Sequence, residues 1–217
     1  LPNRDPEINE LAASSILSDK EWEASNGFIR GWSAHVYHMK NAATPFKRIH
    51  QHGWSPSTEM LDPTNFPINI EVPVGAITEQ GTRRNIRTII EYCEGWLSGR
   101  GAKGINSLEG KPNKTPALME DLATARISVA QTAQRIIHSV PSEDTQRKHD
   151  MQVIIEIADS ELEDILEIRK LDRNNFDDDM KHRYEAAHEM TIRWVSNYTK
   201  LKFDSLATYD RDLHKIS

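Results

Sequence analysis

Hydrophobic residues recur at helical spacing along most of this chain, and proline and glycine mark the gaps between the periodic stretches. Ile8, Leu11, Ala12, Ile16 and Trp22 form the apolar side of a helix predicted from Pro6 to about Ser25, ended by Asn26-Gly27. Phe28 to His35 is the one good strand candidate: Phe28, Arg30, Trp32 and Ala34 alternate with Ile29, Gly31, Ser33 and His35. Tyr37 to His52 predicts a short helix broken near Pro45. Gly53 to Ala76 carries Pro56, Pro63, Pro67 and Pro73 without a sustained period and reads as a linker.

The second part of the chain predicts longer helices. Thr78 is an N-cap with Glu79 in the first turn. Ile86, Ile89, Ile90, Cys93, Trp96 and Leu97 then make one stripe, which Gly99 and Gly101 stop. Gly99 to Thr115 is a Gly- and Lys-rich surface loop whose spacing is not that of a P-loop. Pro116 opens a helix to about Ser139, with Ile127, Ala130, Ala133 (or Gln134) and Ile137 on one face. After Pro141, Ser142 to about Leu171 is amphipathic through Met151, Ile154, Ile155, Ala158, Leu162, Ile165 and Leu166. Its acids Asp159, Glu161, Glu163 and Asp164 are expected mainly on the wet side. Asn174-Asn175 breaks it, and Met180, Tyr184, Ala187, Thr191, Trp194, Val195 and Tyr198 line the last long helix.

Composition narrows the class. Hydrophobic residues are 37% and charged residues 28%, as in a soluble globular protein. A formal charge of −6 without a large basic patch argues against nucleic acid as the main partner. No apolar run approaches the ~20 residues of a membrane span, and the charged stretch Leu1 to Gly27 is not a signal peptide. The single Cys93 reads as a buried structural thiol in a reducing, cytoplasmic setting, where the sequons at Asn113 and Asn197 carry no meaning.

Several residues invite chemistry. Asp121 sits just inside the helix start, one residue after the apolar pair Leu118 and Met119, which holds one carboxylate in partly dry surroundings. The competing reading is ordinary helix-start electrostatics. Asp177-Asp178-Asp179 reads as dipole compensation rather than a metal site, and His35 with His38 lacks a completing ligand. His50 and His52 read as solvated. Arg83, Arg84 and Arg87 form a basic cluster on a polar helix side, with salt bridges as the default role and a ligand phosphate as the alternative. Trp32, Trp54 and Trp96 read as packing residues.

Three blocks, taken together, resemble a known family. They are RDPEINELAASSILSDKEWEASNG from Arg4, TEQGTRRNIRTIIEYCEGWLSGRG from Thr78, and LMEDLATARIS from Leu118. In this order they resemble the C-terminal part of malate synthases, over about Arg4 to His138 and best over Glu79 to Arg135. The resemblance implies a TIM barrel followed by a helical C-terminal domain, and condensation of acetyl-CoA with glyoxylate to give malate and CoA. It implies that Asp121 is the catalytic base, with Met119 lining the same site. The family's Mg and its charge-stabilising Arg belong to earlier barrel strands. A barrel takes roughly 200 residues, so their ligands are not expected in this chain. Within the match, Ile29-Arg30-Gly31-Trp32-Ser33-Ala34-His35-Val36 stands where the family has Asp-Gly-Thr-Trp-x-Ala-His-Pro. Glu109 to Thr115 looks like an insertion, and Arg126 replaces a family Glu.

The expected fold is mainly α: residues 1–65 as the remnant of a barrel's end, then residues 66–217 as a helical bundle domain. The expected function is the base-carrying segment of a malate synthase-like acyltransferase, completed by a barrel-bearing chain or by more sequence. The alternative is a noncatalytic, homo-oligomeric assembly module that uses the helices of Ser142 to Ser217. A metal-dependent hydrolase lacks ligand spacing and ranks last.

Overall fold

A computed structural model describes residues 5–53, 55–65, 67, 74–105, 118–171 and 176–203. The described residues are mainly helical and fall into two compact units, one from 5–75 with Leu118, the other from 76–105 and 119–203.

The first unit holds α1 (Pro6–Ser25), α2 (Met39–His52) and the single turn α3 (Thr58–Leu61). Asp5 caps α1 by accepting from Glu7 N at 2.9 Å, and Pro6 follows at the position where its missing N–H costs nothing. Ile8, Ala12 and Ala24 of α1 and Ala42, Pro45 and Phe46 of α2 make a small core. Gly31 passes so close to Phe46 that a Cβ there would lie 2.6 Å from the ring.

Three expectations change in this unit. The helix α2 continues through Pro45, because burying Pro45 and Phe46 outweighs the lost backbone bond. Phe28 to His35 forms no strand. A strand needs a neighbour to take its backbone donors and acceptors, and among the described residues this unit has none. Trp32 and Trp22 are 74% and 64% exposed rather than packed, and Leu11 of the expected apolar side is exposed as well. Trp54 lies outside the described residues.

The second unit is a bundle of α4 (Glu79–Leu97), α5 (Leu122–Ile137), α6 (Met151–Leu171) and α7 (Asp178–Thr199). A two-stranded sheet, β1 (Ala102–Ile105) with β2 (Leu118–Asp121), occupies part of the stretch read as loop and helix. Residues 106–117, which include the apparent insertion, are outside the described part.

The central element is α4. Thr78 caps it by accepting from Gly81 N at 3.0 Å. All residues from Ile86 to Gly95 are buried, because α5, α6, α7 and β1 pack around it. A stripe reading is therefore too narrow for this helix, which is enclosed on all sides. The last helix matches its pattern: Tyr184, Ala187, Met190, Thr191, Trp194, Val195 and Tyr198 are buried.

Helix α6 starts at Met151, later than the amphipathic pattern suggests. Residues 142–148 are tied down otherwise. Ser142 N donates to Arg147 O at 2.8 Å, Glu143 N to Ile77 O at 2.8 Å, and the Asp144 carboxylate accepts from Glu79 N at 2.9 Å. Asp144 thus serves the open N-terminus of α4, and a helix through it would lose that bond.

Enclosing α4 also encloses its charges. Glu91 and Glu94 are 1% and 2% exposed, and a carboxylate that deep must be paired. Lys103 Nζ from β1 binds both of them and Tyr184 OH at 3.0 Å. Arg169 forks onto Glu91 at 3.0 and 3.2 Å, Arg183 binds Glu94 at 3.1 Å, and Tyr184 OH donates to Glu91 at 2.8 Å. A second cluster joins Arg83 and Arg87, each 2.7 Å from Glu161. Glu161 is buried between α6 and α4 rather than on the wet side.

Burial pushes the Glu91 carboxyl up, but Lys103 and Arg169 outweigh it and hold the group below its usual range. Its folded pKa is thus below its unfolded one. The associated stability is present above the ordinary carboxylate range and is lost as pH falls through the folded value. An acid titration followed by circular dichroism should show stability falling below about pH 4. Glu91→Gln should flatten that slope; an unchanged slope would assign the acid sensitivity elsewhere.

Candidate functional site

The end of β2 and the start of α5 build the site. Asp121 has extended backbone (φ −116, ψ −174) and is the N-cap of α5. Its Oδ1 accepts from Thr124 N at 3.1 Å and lies 3.4 Å from Thr124 Oγ1. The helix starts at Leu122 rather than at Pro116 as the sequence suggests, so Asp121 stands at its cap and not inside it. Strand alternation places Met119 and Asp121 on one face of β2 and Glu120 on the other. Burial follows it: Met119 and Asp121 are half-buried, and Glu120 is buried.

One buried neighbour of Asp121 is Tyr92, which Cys93 follows on α4. Tyr92 of α4 is 3% exposed, and its phenol is pushed up first by burial and then by the nearby Cys93 and Asp121. Cys93 is fully buried, which pushes its thiol up to about 12 against the smaller pull of its Thr191 hydrogen bond and of Lys103. The carboxylate of Asp121 thus stands at the rim of a dry interior that disfavours further negative charge.

Helix α5 fixes the cap in place through a face other than the expected one. Ala125, Ser128, Val129, Thr132 and Ala133 are buried, while Ile127 and Ile137 are 58% and 48% exposed. Small and medium side chains let α5 sit close to both α4 and α7, and the bulkier Ile127 and Ile137 are left outside. Arg126, at the departure from the family pattern, donates from Nε to Tyr198 OH at 3.2 Å.

The other candidates resolve into structural roles. Arg83 also donates to Ser160 Oγ at 2.9 Å, and Arg87 is buried, so both belong to the Glu161 cluster. Trp96 packs on the core. Asp177 caps α7 by accepting from Met180 N at 2.7 Å. His35 Nδ1 accepts from Tyr37 N at 3.1 Å, and His50 and His52 are exposed. His38 is buried instead, with an edge-on contact to Tyr37. Among the described residues no three His, Cys, Asp or Glu side chains group as metal ligands. No helix of the described residues is long and apolar enough to cross a membrane.

Sequence reasoning missed Lys103, Tyr184 and Glu94 as one cluster. Their only sequence signal is charge within a helix that is apolar on its other positions, and a lysine between two small residues.

Two outcomes follow from this geometry. Asp121→Ala should cost about 0.5–2 kcal/mol in urea unfolding, whereas Asp121→Asn, an equivalent cap, should stay within about 0.5 kcal/mol. An equal loss in both would show that the cap bond contributes nothing. Cys93 should resist a thiol reagent at about pH 8 in the native protein and react once denaturant is added. Rapid native labelling would contradict its burial.

Residues 76–211 match the family model for the C-terminal domain of malate synthase. The match runs past His138, where the sequence resemblance was expected to end, and takes in the helices assigned to a separate assembly role. Malate synthase A of Escherichia coli (strain K12) is 32% identical over 142 residues, covering 64% of this chain and 25% of that protein. Malate synthase of Streptomyces clavuligerus is 29% identical over 212 residues, 96% of this chain and 36% of that protein. Glyoxysomal malate synthase of Candida tropicalis is 29% identical over 98% of this chain and 37% of its own length. This chain therefore spans about a quarter to a third of its relatives and belongs to the malate synthase family, whose C-terminal domain it contains.

Proposed function

We propose that this chain is the base-carrying part of an acyltransferase that condenses acetyl-CoA with glyoxylate. Asp121 takes a proton from the thioester methyl group, and the resulting enolate carbon bonds to the aldehyde carbon of glyoxylate. Water then cleaves the thioester, releasing malate and CoA. Met119, on the same strand face, forms the apolar wall beside the methyl group.

The observation that carries this reading is the position of Asp121. Its carboxylate is held by the first turn of α5, half-buried, beside a dry interior. A base for so weak a carbon acid needs fixed geometry and restricted water. Asp121 Oδ1 faces Thr124 N, which leaves Oδ2 as the oxygen to meet the methyl group.

The first unit supports the rest of the proposal. Its core is small, and Trp22, Phe28, Ile29, Trp32, Val36, Tyr37 and Met39 are exposed within a short stretch of sequence. Exposed apolar residues at that density mark a surface made to be covered. We assign residues 1–65 to the end of a barrel whose other strands are supplied from outside this chain. The described residues do not fit Mg as a ligand set. The proposal accordingly gives the ion, and the cation that polarises the keto acid, to that barrel. We place the protein in the cytoplasm, in keeping with one buried, reduced cysteine.

The test is CoA release by the protein that carries this chain together with its barrel. Asp121→Asn should lower kcat by about 10²–10⁴-fold while the fold is kept. Activity near that of the unsubstituted protein would remove Asp121 from the mechanism. A chain that forms a stable oligomer and binds no acetyl-CoA in the presence of a barrel would favour an assembly module instead.

A further inference from the structure

We infer that Lys103 is a positioning residue for Asp121, acting through the β1–β2 pair, and that Gly95 is what admits it. This inference rests on the proposed role of Asp121.

Strand β1 is four residues long, and too short to hold a position by backbone pairing alone. Its grip on the bundle comes from one face. Lys103 and Ile105 alternate inward and are 5% and 2% exposed, while Gly104 faces out. Ile105 contributes apolar burial, which is not directional. Lys103 contributes direction: its Nζ is fixed by Glu91, Glu94 and Tyr184 OH, three groups on two helices. Charge-assisted bonds of this kind tolerate little displacement in a dry site.

The glycine on α4 makes the arrangement possible. A Cβ at Gly95 would lie 3.1 Å from both Cβ and Cδ of Lys103. The lysine stem lies directly against the backbone of α4, and a side chain at Gly95 would press on it.

The strand so fixed hydrogen-bonds to β2, and β2 ends at Asp121. Two anchors then determine where the carboxylate stands. One is the first turn of α5, through Thr124 N. The other is β1, through Lys103. Removing the second leaves the cap bond intact but frees the strand that leads into it.

Two measurements test this. The first is amide hydrogen exchange on the 217-residue chain. In Lys103→Met, the amides of β1 and β2 should lose protection together by about 10-fold or more, while those of α6 and α7 keep theirs. Lys103→Arg, which keeps the cation, should retain more protection than Lys103→Met, and Gly95→Ala should loosen the same two strands with every charge in place. The second is kinetics on the complete, barrel-containing protein. Lys103→Met should lower kcat by about 10–100-fold per folded molecule, with KM for acetyl-CoA within about two-fold, because a base out of place reduces chemistry more than binding. Unchanged β2 protection, or an unaltered kcat in Lys103→Met, overturns the inference. Should Asp121→Asn retain activity, the proposed role of Asp121 fails, and with it the kinetic arm; the exchange result then judges the strand coupling alone.

Discussion

Two carboxylates on an enclosed helix set the terms for the second unit. Glu91 and Glu94 lie on α4 among residues with no access to water, and neither is tolerable there without cations. The cations come from three different places: Lys103 on β1, Arg169 on α6 and Arg183 on α7. Each therefore ties one peripheral element to the centre. Tyr184 joins the cluster by donating to Glu91 and accepting from Lys103 and Arg169. Apolar packing around Trp194, Ile154 and Ile89 supplies most of the driving force for assembly. The ionic cluster adds register, since it is satisfied only when strand and helices meet in one arrangement.

The cap of α5 links that arrangement to chemistry. A helix N-terminus needs an acceptor, and an aspartate is among the best. Asp121 meets this need with one oxygen and leaves the other available. One backbone amide, Thr124 N, thus anchors the side chain at the start of the helix.

The first unit obeys different physics. Its helices share a core of only a few small residues and Phe46, and its aromatic side chains face outward. Burial on that scale sets up local helices but does not exclude water from the stretch between α1 and α2. The chain covers about a quarter to a third of the length of its relatives.

Periodicity alone determined much of this protein. The long helices were legible, because α4, α6 and α7 repeat apolar residues at the helical period, and capping by Thr78 and the break near Gly99 follow from local backbone chemistry. The family motif placed Asp121 and Met119 together. What local pattern does not carry is which face meets a neighbour. Ile127 and Ile137 look like core and are exposed, because the tight approach of α5 selects Ala125, Ser128 and Ala133. Phe28 to His35 looks like a strand and is not one, because a strand exists only with a partner. Lys103, Glu161 and Arg87 look like surface residues and are buried, because their charges are cancelled by residues far away in sequence. Sequence thus specified the elements and the candidate base, while tertiary packing alone decided burial, strand pairing and charge compensation, all of which depend on contacts between distant residues.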